Sequence, residues 1–153
     1  MTRVGKLLQL SAEDRRLLVT AALLQAGIRL GLAVLPYRRV RLLVDRMARM
    51  SPPRTTAGRA SVERITWAVM RASSSVPGAT CLTQALAAGL LMERHGHAAL
   101  IRVGFTRDGR AGLLAHAWVE SGGRIVLGGA NASRYTPLAV PEGEARVADG
   151  GRR

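Results

Sequence analysis

Two side chains in this 153-residue sequence have the type and setting for nucleophilic chemistry: Cys81, the only cysteine, and His116. Cys81 stands in PGATCLTQ (Pro77 to Gln84), after a Pro-Gly turn and at the start of an apolar run that reads as a helix. Thr80 has the side chain of an N-cap, which places Cys81 in the first helical turn. There the unpaired N–H groups and the positive end of the helix dipole favour thiolate, the form of cysteine that attacks a carbonyl carbon. The same N–H groups can donate to the oxyanion that the attack creates. His116 lies in LAHAWVE (Leu114 to Glu120), a stretch that reads as a strand. Its alternation puts His116, Trp118 and Glu120 on one face and Ala115, Ala117 and Val119 on the other. The pair also has a plainer reading: a lone cysteine in an apolar helix serves as a small hydrophobe, and a lone histidine as a hydrogen-bonded structural residue.

The elements that must position this pair are legible in outline. Ser11 with Glu13 and Asp14 forms a loose capping box for a helix running to about Ala33, broken at Pro36. A second, amphipathic helix starts at Tyr37, and SPPRTT (51–56) has linker composition. A third helix, about Ser61 to Ala72, carries Val62, Ile65, Val69 and Ala72 on one face, with Trp67 near its edge. The Cys81 helix runs to about Arg94 and ends at His95-Gly96, where His95 and His97 are expected to cap or to face solvent. Ala98 to Thr106, Leu113 to Ser121 and Arg124 to Leu127 read as strands joined by Gly-rich turns. The expectation is an α+β fold: a helical segment (1–72), a core with the Cys-bearing helix on a small antiparallel sheet (73–140), and a frayed tail (141–153). A helix that begins with Cys and packs on a sheet can bring the thiol to a His. Cysteine proteases and transglutaminases do this, an analogy at the level of fold.

Composition narrows the function classes. A single cysteine cannot form an internal disulfide, which fits a reducing, cytoplasmic setting. His95, His97 and His116 with one cysteine match no common zinc spacing, so neither metal nor cofactor is expected. The net charge of +13 attracts acidic partners, yet the arginines are scattered and aromatic residues make up only 3%. With no stacking platform and no DNA-binding motif, nucleic acid is not an expected partner. No cleavable signal pattern is read at the N-terminus. Leu17 to Pro36 is the most apolar run, but Arg29 interrupts it, so a buried or interfacial helix is expected in place of a spanning one, with membrane association left open.

Several motifs, in order, resemble one family. They are RITWAV (Arg64 to Val69), VPGATCLTQALA (Val76 to Ala87), LMERHG (Leu91 to Gly96), IRVG (Ile101 to Gly104) and AHAWVE (Ala115 to Glu120) followed by Gly123. Together with Leu35-Pro36-Tyr37-Arg38 they resemble the B protein of lasso peptide biosynthesis, a transglutaminase-like cysteine peptidase that removes the leader from a ribosomally made precursor. The resemblance implies a transglutaminase/papain-like core, with Cys81 as nucleophile and His116 as general base. The family's third member is an acidic residue about a dozen positions after the histidine, where this chain has Gly128. Asn131 could orient the imidazole through its amide, or a backbone carbonyl could hold the ring. Glu120 is too far along the strand, roughly 13 Å of backbone from His116. Gln84 and Trp118 are candidates to line the cleft, with core packing the alternative for Trp118.

The family also implies partners: the lasso precursor peptide, a RiPP recognition element supplied as a separate protein, and a lasso cyclase. The first seventy residues read as helices without the strands that a fused recognition element needs, which points to the split form. Two other classes compete: a catalytically impaired adapter of the same fold, and a transglutaminase-type acyl transferase.

Overall fold

The computed structural model describes residues 10–50, 59–110 and 112–138, and among these described residues four α-helices precede a small sheet. The expected linker (51–56) and tail (141–153) lie outside the described residues. Helix α1 is Ala12–Val34, capped by Ser11, whose hydroxyl oxygen accepts from the Asp14 amide at 3.1 Å. Leu35 is extended and Pro36 follows, so the chain breaks there and restarts as α2, Tyr37–Met50. Helix α3, Val62–Ser73, is capped by Ser61, and α4, Cys81–Arg94, by Thr80.

Helix α4 is the centre of the molecule. Ala85, Leu86, Ala87, Ala88, Leu90, Leu91 and Met92 are all buried, so its core side reaches right round the helix. This is the pattern of a helix enclosed by neighbours. Its small residues let other elements approach closely: a Cβ at Gly89 would lie 2.8 Å from the Ile101 Cδ1 atom. Leu17, Leu18 and Ala21 of α1 and Ile65, Ala68 and Val69 of α3 share one core with Ala85, Ala88, Leu91 and the sheet residues Ala117, Val119 and Leu127. The helical segment and the sheet are thus joined by common hydrophobic packing.

Polar clamps fix the helix pairs. Gln25 is fully buried on α1, donates to the Val69 carbonyl (2.9 Å) and accepts from the Ser73 hydroxyl (2.8 Å) of α3. Burying an amide without such partners would be costly. At the helix starts, the Arg64 guanidinium binds Asp14 at 2.6 Å. The hydrogen bond from Arg64, and then that from Ser11, hold the Asp14 carboxyl below the usual carboxylate range. His95 is the C-cap of α4, as one of the two expectations had it, and neither His95 nor His97 faces solvent freely. His95 is buried and its Nδ1 accepts from the Ala60 amide (2.9 Å), while His97 Nε2 meets the Ala60 carbonyl (2.8 Å). Together they pin the segment entering α3 to the end of α4.

The sheet has the antiparallel order β3-β2-β1-β4, with β1 Leu100–Asp108, β2 Gly112–Ser121, β3 Arg124–Leu127 and β4 Thr136–Pro137. A 3-10 helix, Gly129–Arg134, and the short β4 did not stand out in the sequence. In the register, Val103 faces Ala117 and Ile101 faces Val119, and these residues pack on the helices. Gly104 faces His116 and Arg102 faces Trp118, so these sit on the alternate face. The fold is α+β, as expected.

Candidate active site

Thr80 has extended backbone and its hydroxyl oxygen accepts from the Thr83 amide at 3.3 Å, so Cys81 is the first residue of α4. The Gln84 amide bonds the Thr80 carbonyl at 3.0 Å. Of the first-turn donors, the Cys81 and Leu82 amides are left without a capping partner of this kind. Cys81 is half-buried and packs against the main core cluster. Arg29 of α1 adds a positive group that the sequence did not single out. A Cβ at Gly78, in the turn before Thr80, would lie 2.9 Å from the Arg29 Nε atom.

The His116 ring is held from three sides. Its Nε2 lies 2.7 Å from the Gly128 carbonyl oxygen. A carbonyl can only accept, so Nε2 carries the proton and Nδ1 is the basic nitrogen. Trp118 stacks at 6.1 Å between ring centroids with 24° between planes, and Tyr135 lies at 5.0 Å with 33°. Trp118 is buried, as the core-packing alternative requires, and it covers one face of the imidazole. Its ring occupies the space above Gly104, where a Cβ would come within 2.9 Å of the ring and 3.0 Å of the Thr136 carbonyl. Its Nε1 donates to Glu120 (3.0 Å), which also accepts from Arg102 (3.5 Å), so the Glu120 carboxylate is engaged away from His116.

At position 128, where the resemblance implied an acid, the group that meets the imidazole is the Gly128 main-chain carbonyl. The φ of Gly128 is +77°, and a Cβ there would sit 2.9 Å from the Ala117 carbonyl oxygen. Only glycine takes this conformation without strain, and the resulting turn aims the main-chain carbonyl at the imidazole. Asn131 follows in the 3-10 helix, its side chain outside the described residues. Gln84 is half-buried one turn along from Cys81.

Helix α4 packs against β1 and β2, so Cys81 and His116 belong to adjoining elements. Among the described residues no hydrogen bond joins them, and α4 packs on the Ala117 and Val119 side of the strand, opposite His116. A cavity of about 280 Å³ lies elsewhere, lined by Leu10, Asp14, Glu63, Arg64 and Trp67 at the starts of α1 and α3.

Cysteine at a capped helix start, histidine in the strand motif AHAWVE and this α+β order agree with one comparison. The family model for the transglutaminase-like superfamily matches residues 22–140. The chain belongs to that superfamily. No curated protein and no solved structure gives a significant match. Transglutaminase-like proteins include cysteine peptidases and acyl transferases, both working through an acyl-enzyme on the thiol. The match begins within α1 and runs past β4, so it takes in Arg29, Gly128 and Tyr135 as well as the candidate pair.

Tyr135 was missed because nothing near it in sequence marks it as a neighbour of His116. The usable signal is scarcity: the chain has two Trp, two Tyr and one Phe, and two of these flank one imidazole.

Proposed function

We propose that this chain is a cysteine peptidase that removes the leader from a lasso peptide precursor, with Cys81 as nucleophile and His116 as base. The observation that carries the chemistry is the Gly128 hydrogen bond: with Nε2 protonated, Nδ1 is the basic nitrogen, and the mechanism requires it to reach the Cys81 thiol, to which no hydrogen bond joins it among the described residues. Thiolate attack on the scissile carbonyl forms a tetrahedral oxyanion, with the Cys81 and Leu82 amides as its donors. The protonated imidazole then gives its proton to the leaving amine, and water resolves the acyl-enzyme with His116 again as base. The order and spacing of the sequence motifs support a lasso precursor as substrate. The described part of residues 1–73 is helical, which supports a leader-binding recognition element supplied by another protein and the cleaved core passing to a lasso cyclase.

The test incubates the protein with a lasso precursor, with and without a recognition-element protein, and follows leader release by mass. Cys81→Ala and His116→Ala are each expected to abolish release. Cleavage by either variant at the wild-type rate would refute the mechanism. Added amines separate hydrolysis from acyl transfer: a peptidase gives a free carboxylate, an acyl transferase a new amide. The adapter reading rests on the missing acid at position 128. It requires that iodoacetamide alkylate Cys81 no faster than a free thiol near neutral pH.

A further inference from the structure

Helix α1 carries an apolar stripe that the fold does not cover. Val19, Leu23, Leu30 and Val34 are 57%, 68%, 67% and 72% exposed. At 3.6 residues per turn they fall within about 60° of arc, along about 22 Å of helix. The residues between them on this face are Ala26, Gly27 and Ala33, so no polar side chain interrupts it. This helix is long and apolar enough to cross a membrane by length and composition. Its other face forbids that, because Leu17, Leu18, Ala21, Gln25 and Ile28 are buried in the protein. Extracting them would break the shared core and strand the Gln25 amide.

Arginines flank the stripe at both ends. Arg15 and Arg16 are exposed one turn before it, and Arg38 and Arg39 are exposed just beyond its end. Of the acids of α1 and α2, Asp45 pairs with Arg41, and Glu13 and Asp14 share Arg64. On α2, exposed Leu42, Leu43, Met47 and Met50 alternate with exposed Arg46 and Arg49. An exposed apolar stripe with cations at both ends suits a plane whose interior is hydrocarbon and whose surface is anionic.

We propose that α1 lies in the interface of an anionic lipid bilayer, its stripe among the acyl chains and its flanking arginines at the phosphates. The helix rests on the membrane and does not span it, and the catalytic core stays on the aqueous side. This inference is independent of the reaction assigned to Cys81.

The test is vesicle flotation with the full chain, using phosphatidylcholine alone and phosphatidylcholine mixed with phosphatidylglycerol. The wild type is expected to float with the anionic vesicles. The double variant Leu23→Glu/Leu30→Glu is expected to bind at least about tenfold more weakly. Arg38→Gln/Arg39→Gln is expected to weaken anionic binding by about fivefold per arginine. Both variants alter exposed residues and are expected to keep the wild-type circular dichroism. Failure of the wild type to float, or flotation unchanged in the Leu23/Leu30 variant, overturns the proposal. So does a soluble wild-type dimer that this variant dissolves in sedimentation, since a second copy would then cover the stripe.

Discussion

Replacing Gly128 by aspartate would introduce an acid where the proposed resemblance to lasso B proteins calls for one, yet it is expected to lower the reactivity of Cys81. The backbone at this position has φ +77°, and a Cβ would sit 2.9 Å from the Ala117 carbonyl oxygen. An L-residue in the left-handed region costs roughly 1–2 kcal/mol, and the close contact adds to it. The turn can relieve both only by moving, and the atom that moves with it is the Gly128 carbonyl, now 2.7 Å from His116 Nε2. A hydrogen bond to a charged partner contributes about 1.5–3 kcal/mol, and the imidazole is charged once it has taken the thiol proton. Losing that bond corresponds to roughly a tenfold to hundredfold fall in rate. Gly128→Ala serves as the control, since it has the same strain and offers no carboxylate. Two assays read the effect: second-order alkylation of Cys81 by iodoacetamide, which needs no knowledge of the substrate, and the 15N resonance of His116 Nε2, which reports the hydrogen bond itself. Thermal unfolding of each variant separates loss of the site from loss of the fold. If Gly128→Asp reacts as fast as wild type or faster, while Gly128→Ala is slow, a carboxylate can take the carbonyl's place and the reasoning fails.

Other expectations follow from particular contacts. Tyr135→Phe keeps the ring on His116 and is expected to retain near-full Cys81 alkylation and its pH profile; Tyr135→Ala is expected to slow it severalfold and alter that profile, and equal rates for both variants would remove Tyr135 from the site. Leu86→Ala empties a fully buried position on α4 and is expected to destabilise the chain by about 2–5 kcal/mol, read as a lower urea midpoint at unchanged slope. Asp14 titrates below its ordinary value of 3.8 because of Arg64 and Ser11, so the carboxylate stabilises the folded chain above that pH and loses this effect as pH falls through the folded value. In Arg64→Gln the Asp14 carboxyl 13C titration is expected to move back up, with the acid limb of unfolding shifted to higher pH; an unmoved titration would show that the pair is not formed in solution.

The helices were legible because their limits are local. Ser11, Ser61 and Thr80 can each cap through their own hydroxyl, Pro36 stops α1, and the apolar spacing of Ile65, Val69 and Ala72 marks the face that α3 buries. The place of Cys81 at a helix start was legible for the same reason, since a capped helix start is a short-range property of PGATC. The alternation around His116 also fixed which residues share its face, and the register with β1 keeps that division.

What orients the imidazole was decided only by the tertiary structure. The contact from His116 to Gly128 crosses from β2 to the turn after β3, and it depends on a left-handed φ and a main-chain atom, neither of which a residue name specifies. Tyr135 reaches the ring because β4 pairs with β1 through Gly104 and Phe105, a return of the chain with no periodicity to announce it. Arg29 meets Gly78 because α1 packs on the central helix. The sequence by itself determined where the thiol and the histidine stand in their own elements, because capping and alternation act over a few residues. Which groups then converge on them depended on packing between distant segments, where long-range contacts outweigh any local preference.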